Sequence, residues 1–201
     1  MMKSALTGAQ VYERQPGSTA QKKEAKMTNR HAWVLSIVLV CLSTGSASAA
    51  DNVKAVFKDG KGKQIGTATL IATPTGLLIE AELTGLPPGE HAFHIHQTGR
   101  CDAADGFKSA GPHYSSGKRE HGYKVEGGPH TGDMPNQFVN ADGTLHAHLF
   151  SPNVALNQGD GALFDSDGSA LIVHAKADDY QSQPAGDAGD RIACAVIERA
   201  G

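Results

Sequence analysis

From Val53 onward, apolar side chains recur at every second position. Val53, Ala55 and Phe57 alternate ahead of the turn Lys58-Asp59-Gly60-Lys61. A period of two places successive side chains on opposite faces of an extended chain, so one face is buried and the other is not. The rhythm returns at 65–72, 77–83, 91–96, 137–139, 145–150, 170–175 and 192–198. No stretch sustains the 3.6-residue period that an amphipathic helix needs. Turn signals separate the segments: Thr73-Pro74-Thr75-Gly76, Leu86-Pro87-Pro88-Gly89, and the hairpin-type pairs Asp142-Gly143 and Asp167-Gly168. The sequence therefore predicts an all-β domain, an eight-stranded antiparallel Greek-key barrel or sandwich.

Two connections break the rhythm. Residues 97–135 and 176–190 are long, rich in Gly, Asp and His, and do not alternate. Structureless loops longer than about 12–15 residues are uncommon in compact domains and are usually functional or disordered. Both contain or adjoin histidines and a cysteine, which favours function.

The first fifty residues read as an address. A short basic lead, Met27 to His31, precedes eleven apolar positions from Ala32 to Leu42 and a run of small residues holding Ala47-Ser48-Ala49. That is the layout of a secretory signal. As a helix it would span about 16 Å, too little for a bilayer core of about 30 Å. Residues 1–50 are thus expected to be an N-terminal extension plus signal peptide, cleaved near Ala49 or Ala50, with the functional domain at 51–201. An uncleaved anchor and a lipid attached at Cys41 are the alternatives, and either Met1 or Met27 fits as the start. Residues 51–201 carry twelve basic and nineteen acidic side chains, net −7. That balance excludes binding nucleic acid by bulk charge.

Export leaves two cysteines, Cys101 and Cys194, in a compartment where disulfides persist. A bridge between them would close a loop of 93 residues; two unpaired buried thiols are the alternative. Nine of the ten histidines follow residue 51, and strand parity sorts them. His94 and His96 share one face about 6.5–7 Å apart, close enough to converge on one metal. His91 has the parity of Phe93 and Ile95 and reads as a structural histidine. Leu145, Ala147 and Leu149 face inward, so His146 and His148 face water, an additional metal site being the alternative. His113, His121, His130 and Asp133 lie on Gly- and Pro-punctuated backbone and suit a four-coordinate zinc site. His174 closes its strand and could join His94 and His96 in the imidazole-rich coordination that Cu(II) favours. Six histidines and one aspartate make seven ligands where two four-coordinate sites need eight. One histidine must then serve both metals, as an imidazolate.

Five segments resemble the motifs of the copper/zinc superoxide dismutases, most closely the exported bacterial branch. They are Phe93-His-Ile-His96, Ser109-Ala-Gly-Pro-His113, His130-Thr-Gly-Asp133, Val173-His-Ala-Lys-Ala-Asp-Asp179 and Gly186-Asp-Ala-Gly-Asp-Arg-Ile-Ala-Cys194. The resemblance covers nearly all of residues 51–201, with the family's spacing of eight from His113 to His121 and nine from His121 to His130. It implies one copper per subunit on His94, His96, His113 and His174, and one zinc per subunit on His113, His121, His130 and Asp133, with His113 as the bridge. It implies a Cys101–Cys194 disulfide, an Asp178 carboxylate hydrogen-bonded to His94 and His121, and an Arg191 that attracts and orients the superoxide anion. His113 and Arg191 are then the catalytic residues of an enzyme that disproportionates superoxide to dioxygen and hydrogen peroxide by Cu(II)/Cu(I) cycling. The implied setting is antioxidant defence in the periplasm. Members of this branch vary in oligomeric state, so a homodimer stays open.

Three departures stand out. Tyr114-Ser115-Ser116 replaces the family's aromatic followed by Asn or Asp and Pro. Asp102 to Phe107 lengthen the segment between Cys101 and His113. The loop 177–190 holds four aspartates and no lysine, so the steering lysines of eukaryotic members are missing there, and Lys108 is the candidate substitute.

Overall fold

Alternating burial produces strands where the pattern places them. The structure is a computed structural model describing residues 52–199; the expected signal peptide and cleavage site fall outside the described residues. Its strands are β1 (Asn52–Asp59), β2 (Gln64–Thr73), β3 (Gly76–Leu83), β4 (Gly89–His91), β5 (Phe93–His96), β6 (Gln137–Val139), β7 (Leu145–Ser151), β8 (Ser169–His174) and β9 (Arg191–Ile197). Seven form one antiparallel sheet in the order β5-β8-β9-β1-β2-β3-β7, and β4 pairs with β6. β1, β2 and β3 follow one another as hairpins, and β9 returns beside β1, which is the Greek-key pattern. The inward residues of β1, β3 and β7 (Phe57, Leu77, Ile79, Leu83, Leu145) are buried in one core with Leu70 of β2.

The structure differs from the sequence reading in three places. The segment 91–96 is two strands, because the chain turns at Ala92: β4 joins β6, while β5 joins β8 at the edge of the main sheet. Asp167-Gly168 is a turn, with Gly168 at φ 69°, but not a hairpin, since β7 and β8 lie near opposite edges of the sheet. Their connection, 152–168, is therefore a third long loop. It alternates weakly, burying Val154, Leu156 and Leu163 in the main core, and so lacks the loop signature of the other two.

Two strands are buried on both faces. All of β5 and β8 is buried, which requires a cover on the side away from the core. On β8 that cover is a small second cluster in which Phe107 and Ala110 pack on Ala170, Ile172 and Cys194. Phe107 and Ala110 belong to the long loop, within or beside two three-residue 3₁₀ turns, Ala103–Asp105 and Lys108–Ala110. Burying Phe107 contributes about 1.5–3 kcal/mol toward holding the loop down. The Cys101–Cys194 disulfide, with Cα atoms 5.7 Å apart, ties the same loop to β9.

Candidate metal centre

β5 organises the site through both its side chains and its backbone. Phe93 and Ile95 enter the core, so His94 and His96 project to the other face, where the loops cover them. The loops dock on the strand by backbone hydrogen bonds: Ile95 N donates to Gly132 O (2.9 Å), Tyr114 N donates to Ile95 O (2.8 Å), and Gln97 N donates to Pro112 O (3.0 Å). These bonds occupy the sheet-edge groups of β5 and fix His113 opposite His96 as an isolated bridge. Gly132 is needed at this contact, since a Cβ there would overlap Ile95 O.

Seven side chains converge as two quartets that share His113: His94, His96, His113 and His174, and His113, His121, His130 and Asp133. In each quartet the ligating atoms all lie within 4.8 Å of one another. In the second quartet, three Nδ1 atoms face one oxygen. His113, His121 and His130 lie 2.8, 3.1 and 3.4 Å from Asp133 Oδ1. The other oxygen, Oδ2, accepts from the backbone N–H groups of Gly122 and His130, both at 2.9 Å, and these fix the carboxylate's direction.

In the first quartet, hydrogen bonds set the tautomers. His94 Nε2 lies 2.9 Å from Asp178 Oδ2, and His96 Nδ1 lies 2.8 Å from Gly111 O. Carboxylates and carbonyls only accept, so these nitrogens carry the hydrogens and the opposite ring nitrogens keep their lone pairs. His174 follows suit, with Nδ1 3.3 Å from Gly189 O. Its Nε2 then faces His96 Nε2 at 3.3 Å, two lone pairs that need a cation. His94 Nδ1 and His113 Nε2 are buried without any hydrogen-bond partner. Four imidazole nitrogens presenting lone pairs suit Cu(II), and three imidazoles with a carboxylate suit zinc.

Burial favours the neutral form of His96, His113 and His174. It pulls His96 well below the ordinary imidazole value, helped by His113 and Arg191. It lowers His174 to about 3, and His113 to about 4 against the opposing pull of Asp133. His121 behaves oppositely: burial lowers it, but hydrogen bonds to Asp133 and Asp178 outweigh that and raise it to about 9. Both carboxylates are held well below the usual range, the hydrogen bonds from histidines outweighing burial.

Asp178 spans the two quartets. Its Oδ2 takes His94 Nε2, and its Oδ1 takes His121 Nε2 at 3.0 Å. Arg191 opens β9, paired in register with His174. Its Nη1 donates to Phe107 O (2.6 Å) and its Nη2 to Gly111 O (2.7 Å). Among the described residues no carboxylate lies within ion-pair distance of Arg191; Asp187 instead approaches Lys176 at 3.9 Å.

Residues 64–197 match the family model described as copper/zinc superoxide dismutase (SODC). The chain belongs to that family. Similar relatives include the copper-zinc superoxide dismutases of Aquifex aeolicus, 44% identical over 79% of this chain and 96% of the relative, and of Caulobacter vibrioides, 46% identical over 72% and 84%. Among solved structures, a double mutant of a SOD-like protein from Bacillus subtilis is 37% identical, with a TM-score of 0.69 over 72% of this chain and 95% of that one. The copper/zinc superoxide dismutase family uses copper and zinc, which the donor chemistry of the two quartets fits.

Two positioning residues of this dismutase, Asn136 and Gly186, have no role assigned from its sequence, although Gly186 opens one of the resembling segments. Asn136 brackets the Asp178 backbone, its Nδ2 donating to Asp178 O and its Oδ1 accepting from Asp178 N. Gly186, at φ 68°, leaves the space that Asp178 occupies, since a Cβ there would overlap Asp178 Oδ1. His91, structural as its parity suggested, is buried with Nδ1 2.7 Å from His174 O. An asparagine or glycine in a loop carries no local periodicity, so these contacts had no signal to be read from. His146 and His148 stand exposed on β7, as expected.

Proposed function

We propose that this chain disproportionates superoxide to dioxygen and hydrogen peroxide, with copper on His94, His96, His113 and His174 and zinc on His113, His121, His130 and Asp133. The observation that carries the reading is the position of His113: its Nδ1 faces Asp133 while its Nε2, without a hydrogen bond, is left for the other quartet. Bound copper supplies the one-electron chemistry that oxidises one superoxide and reduces the next, and bound zinc, which has no redox chemistry, fixes the shared ring.

The chain's own groups do the rest. His113 holds a proton at Nε2 between the two half-reactions while its Nδ1 stays anchored. Asp178 orients His94 and His121 through their Nε2–H groups, a constraint that also tunes their basicity as ligands. Arg191 has two of its donors fixed on carbonyls, leaving the rest of a permanently charged guanidinium for an anion. A domain of net −7 repels superoxide overall, so the local field at Arg191, with Lys108 exposed on the adjoining 3₁₀ turn, must reverse it. Residues 1–50 serve as an extension and secretory signal, which places the enzyme in the periplasm as an antioxidant defence.

Loading both quartets with Cu(II) tests the shared histidine. An imidazolate bridge couples the two spins, so the paramagnetic resonance signal should be strongly attenuated and should recover in H113A. Two independent, full-strength signals in the unaltered protein would contradict the bridge.

A further inference from the structure

The outer face of β2, β3 and β7 carries a cluster that the interior site does not use. Register places Glu80 opposite His148 and Glu82 opposite His146, with Thr69 and Thr67 opposite the same glutamates on β2. His148 Nδ1 lies 3.5 Å from Glu80 Oε1, His146 Nδ1 lies 3.9 Å from Glu82 Oε1, and all four side chains are open to solvent. With Thr67 and Thr69 they line a surface cleft of about 240 Å³. β3 and β7 lie at the edge of the sheet opposite β5 and β8, so this cluster is separate from the interior quartets.

We propose that Glu80, Glu82, His146 and His148 form an additional surface site for a divalent transition cation such as Zn(II). Histidines at i and i+2 on one strand point the same way from backbone positions about 6.5–7 Å apart, and both exposed rings turning inward bring their nitrogens onto one metal. Directly opposite positions have Cβ atoms about 4.5–5.5 Å apart, so each histidine already has a carboxylate beside it. A tetrahedral shell with bonds of about 2.0–2.2 Å sets its donors about 3.4 Å apart. The two histidine–glutamate separations, 3.5 and 3.9 Å, are close to that spacing. Charge favours the same occupant, because among the described residues neither glutamate has a lysine or arginine within ion-pair distance. Two nitrogens and two carboxylate oxygens are a donor set that zinc accepts. Paired strands hold the donors, which makes the cluster more rigid than one built on a loop.

The test is calorimetric titration of Zn(II) into the protein already holding its interior copper and zinc. One further equivalent per chain should bind, and it should disappear in H146A/H148A, whose exposed substitutions leave the interior copper and zinc content unchanged. E80Q/E82Q should weaken binding by at least about tenfold, a loss that even outer partners of metal ligands produce. Absence of a further equivalent, or one that persists in H146A/H148A, would overturn the site. An unchanged affinity in E80Q/E82Q would overturn the part given to the carboxylates.

Discussion

A side chain at position 186 would overlap the carboxylate that ties the two quartets together, and this makes Gly186 a test of how much Asp178 matters. G186A should lower zinc retention by about 10–100-fold, the usual scale for disturbing the partners of metal ligands. G85A is the control, since Gly85 shares a left-handed φ of 74° but has open space where a Cβ would go. Equal zinc content in G186A and G85A would contradict the role. Acid should act on the metal-free protein through other residues. His113 and His174 titrate near 4 and 3 when folded, below the ordinary imidazole value of 6.5. Between those values the unfolded chain binds protons that the folded one does not, so stability falls as pH drops from 6.5 toward 4. His121, raised to about 9, has the opposite sign: its contribution is complete below 6.5 and is lost as pH rises through 9. Denaturant midpoints of the metal-free protein at pH 4.5, 6.5 and 9.5 should therefore be highest at the middle value. The seven proposed ligands could be singled out in the sequence because His and Asp at fixed spacings are rare and chemically specific, and the fold brings all seven together. Gly186 and Asn136 were not, because what they provide is space and backbone hydrogen bonds.

Among the elements, β5 shows both the reach and the limit of reading alternation. Parity correctly set His94 and His96 against Phe93 and Ile95, because a pleated strand leaves no other choice. It could not reveal that the chain breaks at Ala92, since four residues of one period look alike whichever sheet they join. The loops follow another rule, being held by a few specific ties rather than by a repeating pattern. The Cys101–Cys194 bridge is the strongest of these, joining the loop that carries the carbonyl partners of Arg191 to β9, which carries Arg191 itself. C101S/C194S should cost about 2–5 kcal/mol of stability and should also lower kcat/KM, because the guanidinium loses its fixed frame. Thermal unfolding and steady-state rates measured on the same metal-loaded sample check this. A variant less stable but with unchanged kcat/KM would confine the disulfide to a purely structural part.

For the whole molecule the difficulty is charge. A domain of net −7 must collect an anion, so attraction has to be local and the ionic-strength dependence should report it. In the unaltered enzyme, added salt should slow dismutation by screening the field at Arg191. R191E should lower the rate by about 10-fold or more and invert the dependence, because salt then screens repulsion. An unchanged rate with unchanged salt dependence would remove Arg191 from substrate capture. Composition gave the sign of this problem, but only the folded chain shows a guanidinium unpaired with Asp187 or Asp190, held on the carbonyls of Phe107 and Gly111 beside His174. The central claim, that two quartets sharing His113 make a superoxide dismutase, is tested most directly by measuring superoxide dismutation and metal content on one purified sample. The account predicts fast turnover with one copper and one zinc per chain in the interior quartets. Both metals bound without turnover, or interior quartets that take up neither metal, would contradict it.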